Sequence, residues 1–176
     1  METFPFPNEK TCFSELKRDR YFDKISACDY KKIVRAAWLR GYTAACRYFL
    51  PATKDIFQTI KKAGLSITYA NSDHILGNTR YFAEYYEKQK NIIVYTKSVE
   101  LWCLQNQLSY QEGEELILAH EFFHHLECME LPSSKKIYQI PVLRIGKHAL
   151  LHAALQSVSE IGAHSFAYTY YRLLYL

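Results

Sequence analysis

Long apolar runs are missing from this chain of 176 residues. No stretch comes near the ~18 consecutive apolar residues that a membrane-spanning helix requires. The N-terminus has no basic region followed by an apolar run, so we expect neither a membrane span nor a signal peptide. Internal repeats, low-complexity tracts and Gly/Ser-rich linkers are missing too. The chain length then predicts one domain over residues 1–176 with a single substantial core.

Cysteine pairs are also missing. The five cysteines are scattered, odd in number and form no C-x-x-C motif. This pattern argues against a disulfide framework and against a structural zinc site built from cysteines. Buried thiols in a reducing cytosol are the simplest interpretation, and we therefore expect a cytoplasmic protein.

A strong charge of one sign is missing as well. The chain has 22 basic and 18 acidic residues, for a net charge of +4. Several basic residues between Lys17 and Lys62 could form one face, but a solvated surface is the favoured interpretation. A nucleic-acid partner is not expected. The aromatic share of 15%, with fifteen tyrosines, is assigned mainly to the core and its rim.

The apolar pattern predicts an α+β fold with N-terminal helices, a small mixed sheet and two later helices. Residues 1–25 are polar and aromatic and suggest an N-terminal arm. The periodicity predicts helices over residues 29–49 and 53–62, and the alternation predicts strands over residues 65–69, 80–86 and 91–96.

The second half of the chain is predicted to be mainly helical. Residues 98–107 fit a helix or an extended approach to the next element. That element is a helix over residues 110–130, because Ser109 and Glu112 have capping-box spacing and Pro132 follows its end. After a basic loop over residues 133–147, one long final helix is predicted over residues 148–174.

The strongest motif is His120-Glu121-Phe122-Phe123-His124, an H-E-x-x-H pentad inside the helix predicted over residues 110–130. Four residues are just over one helical turn, so the two imidazoles project from one face. That spacing suits two nitrogen ligands of one zinc ion, with Glu121 beside them as the general base.

A catalytic zinc ion usually takes three protein ligands and keeps one position open. Glu127 lies on the same face as His124, but three ligands from one straight helix cannot easily surround a metal. Glu160 lies on the predicted final helix, and we favour it over Glu127. Small residues would let the two helices approach closely: Gly162, Ala163 and Ala167.

The stretch Glu160-Ile161-Gly162-Ala163-His164-Ser165-Phe166-Ala167 resembles the E-x-x-A-x-x-F-A segment that follows H-E-x-x-H in the ImmA/IrrE family of small zinc metallopeptidases. The resemblance covers mainly residues 65–176. It implies a compact zincin fold in which His120, His124 and Glu160 hold one Zn²⁺ per chain and Glu121 is the catalytic acid and base. Members of that family are soluble, and some cleave or act on transcriptional repressors.

Two features differ from the family pattern. His164 stands where the family often has Asn or Asp, and this changes the hydrogen bonding around the ligands. Glu160 follows His124 by 36 positions, a longer separation than expected, because the loop over residues 133–147 is enlarged. We expect this loop to alter whatever covers the site.

The expected activity is zinc-dependent hydrolysis of peptide bonds. Glu121 would take a proton from the zinc-bound water and pass it to the leaving amine. The expected partner is a peptide or protein substrate, with a regulatory protein among the candidates. The strand over residues 91–96, or the segment over residues 80–86, could offer an open edge to which an extended substrate adds as a strand.

Other histidines and tyrosines receive weaker assignments. His164, one turn beyond Glu160, could orient a ligand or donate to the substrate's oxyanion. His148 and His152 form an i, i+4 pair on the predicted final helix and are assigned to its surface, although His152 could line the cleft. His125 is also assigned to the surface. Four tyrosines are assigned to packing rather than to an oxyanion site: Tyr168, Tyr170, Tyr171 and Tyr175.

Two other classes of protein stay open. One is a catalytically inactive zincin-like module that binds or regulates a partner. The other is a di-iron carboxylate protein, because Glu121 and His124 also match a Glu-x-x-His ligand pair. That class requires a second such pair, and the spacing from Glu160 to His164 does not provide it.

Overall fold

The computed structural model describes residues 4–49, 54–132, 134, 137–145 and 148–175. In these residues the protein combines helices with small sheets of two or three strands, which confirms the α+β prediction. None of the described helices has the length and apolarity needed to cross a membrane.

Three helices open the fold. They are α1 (Phe13–Lys17), α2 (Tyr30–Phe49) and α3 (Ile56–Lys62). The predicted helix over residues 29–49 is therefore confirmed as α2. At the start of α3, Asp55 accepts a hydrogen bond from the backbone N–H of Gln58, which stabilises the first turn. Thr53, at which the predicted helix over residues 53–62 begins, lies outside the described residues.

The strands follow in two groups. A hairpin joins β2 (His74–Leu76) and β3 (Thr79–Tyr81) around a turn in which Gly77 has a positive φ of 60°. The main sheet contains β1 (Ser66–Ala70), β4 (Ala83–Tyr86) and β5 (Asn91–Tyr95). Its order is β1-β5-β4, with β5 parallel to β1 and antiparallel to β4. The single strand predicted over residues 80–86 is thus divided between β3 and β4.

Two helices come next, α4 (Thr96–Asn106) and α5 (Tyr110–Met129). The capping box is present: Ser109 Oγ accepts from the N–H of Glu112, and the Ser109 N–H donates to the Glu112 carboxylate. Gly113 has a packing role in the second turn of α5, because a Cβ there would lie 2.2 Å from the sulfur of Cys103 on α4.

The prediction of one long final helix from residue 148 is wrong. Strands β6 (Gln139–Ile145) and β7 (His148–Ala154) form an antiparallel hairpin, and α6 (Gln156–Tyr175) begins only after it. The Ala- and Leu-rich sequence of β7 favours a helix locally. Cross-strand pairing with β6 overrides that preference, and Ile140 of β6 anchors the hairpin in the core at 1% exposure.

Helix α6 packs closely against both α2 and α5. A Cβ on Gly162 would lie 2.6 Å from the ring of Phe123 on α5, and a Cβ on Gly41 of α2 would lie 2.0 Å from the carbonyl oxygen of Gly162. Ala163 and Ala167 are fully buried in the same core. The small residues therefore allow the close helix approach that the sequence predicts.

The arm predicted over residues 1–25 contains regular secondary structure and buried side chains. It contains α1 and a short 3-10 turn, and Cys12 and Leu16 are fully buried. The rings of Phe4 and Phe6 pack against the main core. Phe6 of this part of the chain therefore packs against α5, the helix that carries the H-E-x-x-H motif, and against its neighbours α4 and α6.

Candidate metal centre

Helices α5 and α6 bring three potential ligands together. The Nε2 atoms of His120 and His124 lie 3.3 Å apart. The Glu160 carboxylate reaches across from α6, 3.4 Å from His120 Nε2 and 3.7 Å from His124 Nε2. In the described part of the chain, these three residues form a group of donors able to hold one metal ion.

The spacing of these donor atoms fits a zinc ion. Two ligands of a tetrahedral zinc ion, with bonds of ~2.0–2.1 Å, lie about 3.3–3.4 Å from each other. The donor pairs at 3.3, 3.4 and 3.7 Å are close to that separation. Two imidazoles with one carboxylate is also a common ligand set of catalytic zinc.

The charges at the centre are strongly coupled. Burial lowers the pKa of His124, but its hydrogen bond to Glu127 and the charges of nearby carboxylates outweigh this and raise the pKa to about 9. Burial raises the pKa of Glu160, but the hydrogen bond to His120 and the positive imidazoles lower it to about 2. The metal-free centre therefore keeps a proton on His124, and a metal ion would displace it.

Glu127 supports the centre from behind. Its carboxylate lies 3.5 Å from His124 Nδ1, and it accepts hydrogen bonds from Ser159 Oγ and from the guanidinium of Arg40. Ser159 Oγ also lies 3.1 Å from His124 Nδ1. Because Ser159 donates to Glu127, it accepts from His124 Nδ1–H. Nε2 is then the nitrogen that a metal ion would bind once its proton is displaced.

This hydrogen-bond network shows why Glu127 is less suited than Glu160 to be the third ligand. Glu127 faces the far nitrogen of His124 and so orients this imidazole without completing the metal centre. Ser159 was not anticipated from the sequence, although it immediately precedes Glu160. Its hydrogen-bond partners depend on how α5 and α6 pack together.

Glu121 lines the same cleft as the three donors and is only 8% exposed. Burial raises the pKa of its carboxyl group, while the two histidines and the backbone of Tyr85 partly oppose that rise. A carboxylate with a raised pKa binds a proton more readily, which suits a general base.

His164 lies beside His120, with their ring centroids 4.9 Å apart. It is 8% exposed, and its Nδ1 has no hydrogen-bond partner among the described residues; the same is true of His120 Nδ1. Burial and the neighbouring charge of His120 lower the pKa of His164 to about 3. His164 is therefore neutral and next to the predicted ligands, as the sequence suggests.

Two other histidine predictions fail. His152 lies on β7, opposite Pro141, and is exposed rather than one of the residues that line the cleft. His148 lies on the same strand, so the expected helical pair does not exist. His125 is not on the surface: it is 5% exposed, and its Nδ1 lies 2.9 Å from the hydroxyl of Tyr85 on β4.

The donors open into a cleft of about 810 Å³. One wall is formed by β3 and β4, and β4 is an edge strand of the main sheet among the described residues. The predicted alternative edge, β5, is the central strand and is paired on both sides. On another side the cleft is lined by aromatic residues that were not singled out from the sequence, Phe6 and Trp102.

Among the side chains that the structure describes, no tyrosine of α6 lines this cleft. Tyr170 is buried, and its hydroxyl donates to the carbonyl of Lys54. Tyr168 packs against Phe4 and Trp38. The side chain of Tyr175 lies outside the described residues. The tyrosines that line the cleft come instead from the strands, Tyr81 and Tyr85.

No family model, no curated protein and no solved structure matches this chain.

Proposed function

We propose that this protein is a zinc-dependent metallopeptidase that hydrolyses peptide bonds. The observation that carries the proposal is the spacing of His120, His124 and Glu160, whose donor atoms lie 3.3–3.7 Å from one another beside the buried carboxylate of Glu121. The resemblance of the same residues to the ImmA/IrrE pattern supports it.

The residues of the cleft would have different roles in hydrolysis. His120, His124 and Glu160 would hold the ion, and Glu127 and Ser159 keep the His124 ring in its orientation. A bound zinc ion would supply Lewis acidity towards the scissile carbonyl and the attacking water. Glu121 accepts a proton from that water and later donates it to the leaving amine.

The edge strand β4 suits an extended peptide substrate. It lies beside α5, pairs with β5 on one side, and contributes Ala83, Glu84 and Tyr85 to the cleft. A peptide that adds to its other side would place its backbone next to Glu121, because the backbone of Tyr85 already interacts with this carboxylate. The substrate class is therefore an extended stretch of peptide or protein.

The reaction is proposed to take place in the cytosol. All five cysteines are free thiols, and Cys28 and Cys128 are exposed. Exposed free thiols persist in a reducing compartment.

A catalytically inactive zincin-like module is the second candidate. The observation that favours it is the buried Nδ1 of His120, which has no partner among the described residues. A metal-ligating histidine normally donates its second N–H to an acceptor, and loss of that bond lowers metal affinity.

Zinc content and peptide hydrolysis, measured together, test the proposal. Glu121→Gln should keep stoichiometric zinc, because Glu121 is not a ligand, and should lower kcat by about 10²–10⁴-fold. Glu100→Gln, an exposed change on α4, is the matched control and should retain both. Zinc binding by the wild type without cleavage of a mixed peptide library would favour the inactive module.

A further inference from the structure

The N-terminal segment Phe4–Pro7 contributes Pro5, Phe6 and Pro7 to the lining of the cleft. The Phe6 ring stacks on the imidazole of His120, with centroids 5.6 Å apart and planes at 27°. It also contacts His164 at 5.3 Å and Trp102 at 5.0 Å. Phe6 therefore covers one of the predicted ligands directly.

The surroundings of Phe6 form an aromatic pocket that is complete without it. Trp102 is held by α4 and is 8% exposed, and Phe82 packs on its ring at 5.4 Å. His164 and His120 also contact the Phe6 ring and belong to α6 and α5. These walls come from helices and from a residue beside β4, so they remain when Phe6 leaves.

The segment Phe4–Pro7 is held in place mainly by contacts of its two phenylalanine rings. Phe4 packs on Tyr168 of α6 at 5.0 Å and on Phe6 at 5.8 Å. Among the described residues, the only hydrogen bond to the segment is a long one of 3.6 Å, from the thiol of Cys12 to the carbonyl of Pro7. Prolines at positions 5 and 7 cannot donate backbone hydrogen bonds. Displacing the segment therefore breaks aromatic contacts and almost no backbone pairing.

We infer that Phe6 is an internal plug: it occupies a subsite that accepts an aromatic side chain of the substrate, and the substrate must displace it. This inference rests on the proposed function for the nature of the substrate, a peptide with a large aromatic residue near the scissile bond. The plug itself requires only that Phe6 and an external aromatic group compete for the pocket formed by Trp102, Phe82 and His164.

Hydrolysis gives the first test. If Phe6 fills the pocket in about 90% of molecules, the apparent affinity for a competing substrate is about tenfold weaker than that of the open form. Phe6→Ala should then lower KM for aromatic peptides at least about threefold, with kcat within about twofold of wild type. Phe22→Ala is the matched control, because Phe22 is also half-buried and N-terminal but stacks on Tyr30 outside the cleft. It should leave KM unchanged.

Binding gives a second test that does not require hydrolysis. The probe is a fluorescein-labelled hexapeptide with the sequence of residues 3–8, followed by fluorescence polarisation. It should bind the full-length Phe4→Ala/Phe6→Ala protein at least about tenfold more tightly than wild type. A peptide with alanine in place of the second phenylalanine should lose that binding. If the double variant does not fold, hexapeptide binding is compared between the Phe6→Ala protein and wild type instead.

The two tests fail in distinguishable ways. Peptide binding to the double variant without hydrolysis by any protein would refute the metallopeptidase and support the plug. A raised KM in Phe6→Ala would show that Phe6 is a fixed wall of the subsite, and would overturn the plug. Equal binding of the hexapeptide to wild type and the double variant, or no binding to either, would also overturn it.

Discussion

Gly41 on α2 and Gly162 on α6 meet without any side chain between them. A Cβ on Gly41 would lie only 2.0 Å from the carbonyl oxygen of Gly162. This contact sets how closely α6 packs against α2. Glu160 lies on α6 and faces α5, so its position depends on that packing. The geometry of the candidate metal centre therefore depends on two residues that have no side chain to ligate a metal.

The first prediction concerns Gly41→Ala. Alanine normally stabilises the interior of a helix by about 1 kcal/mol relative to glycine. Here the added methyl group meets backbone, so we expect a net loss of about 1–3 kcal/mol from overpacking, measured by urea unfolding. Thr43→Ala on the exposed side of α2 is the control and should be nearly neutral. A stabilised Gly41→Ala protein would contradict the close contact.

The second prediction concerns metal removal. Glu160→Ala removes the one predicted ligand on α6 and should abolish stoichiometric zinc binding, measured by elemental analysis after dialysis. A chelator should lower the melting temperature of wild type, because binding to the folded state adds stability. It should not change the melting temperature of Glu160→Ala. Retention of full zinc by this variant would assign the third ligand elsewhere.

The third prediction concerns Glu127 behind the centre. Glu127 and Arg40 form an ion pair with side chains only 10% and 12% exposed. Removing one partner of such a pair leaves the other charge buried, and this costs about 3–5 kcal/mol. We expect Glu127→Gln to lose stability near the lower end of that range in chemical unfolding. The exposed change Glu87→Gln is the control. A neutral result would show that Arg40 finds another acceptor.

The fourth prediction concerns the pH dependence of the metal-free protein. The folded pKa of His124 is about 9, above its ordinary value of 6.5. A raised pKa gives stability that is fully present below pH 6.5 and is lost as the pH rises to about 9. Thermal unfolding in chelator should therefore show falling stability over that interval.

Two comparisons check the assignment of this pH dependence. Glu127→Gln removes the hydrogen-bond partner that raises the pKa of His124, so its stability should vary less between pH 6.5 and 9. With zinc present the trend should reverse, because the metal requires unprotonated ligands. A metal-free protein with constant stability over this interval would contradict the raised pKa.

Local patterns in the sequence were sufficient to predict which side chains meet at the centre of the site. The capping box at Ser109 starts α5 through contacts three residues apart, and the helical repeat places His120 and His124 on one face. Glu160 was predicted from the coordination rule and from the small residues that follow it. The proximity of these three side chains is confirmed, because it depends on short-range spacing and on the close approach of two helices. Their role as metal ligands stays a prediction.

Contacts between distant segments were beyond such patterns. Residues 148–154 look helical in isolation, but β6 supplies a pairing partner that local propensity cannot reveal. His125 was expected on the surface, and only the position of β4 next to α5 buries it under Tyr85. The order β1-β5-β4, which makes β4 the edge strand, likewise follows from the packing of the whole sheet.

The N-terminal segment shows the same division most clearly. Its sequence indicates only an aromatic, proline-containing stretch, and no periodicity links it to a histidine more than a hundred residues later. The tertiary structure brings Phe6 onto His120, because α4, α5 and α6 together form an apolar pocket that a nearby ring can fill. Helix faces are encoded by residues three or four positions apart, whereas the occupant of a pocket depends on packing of the entire chain.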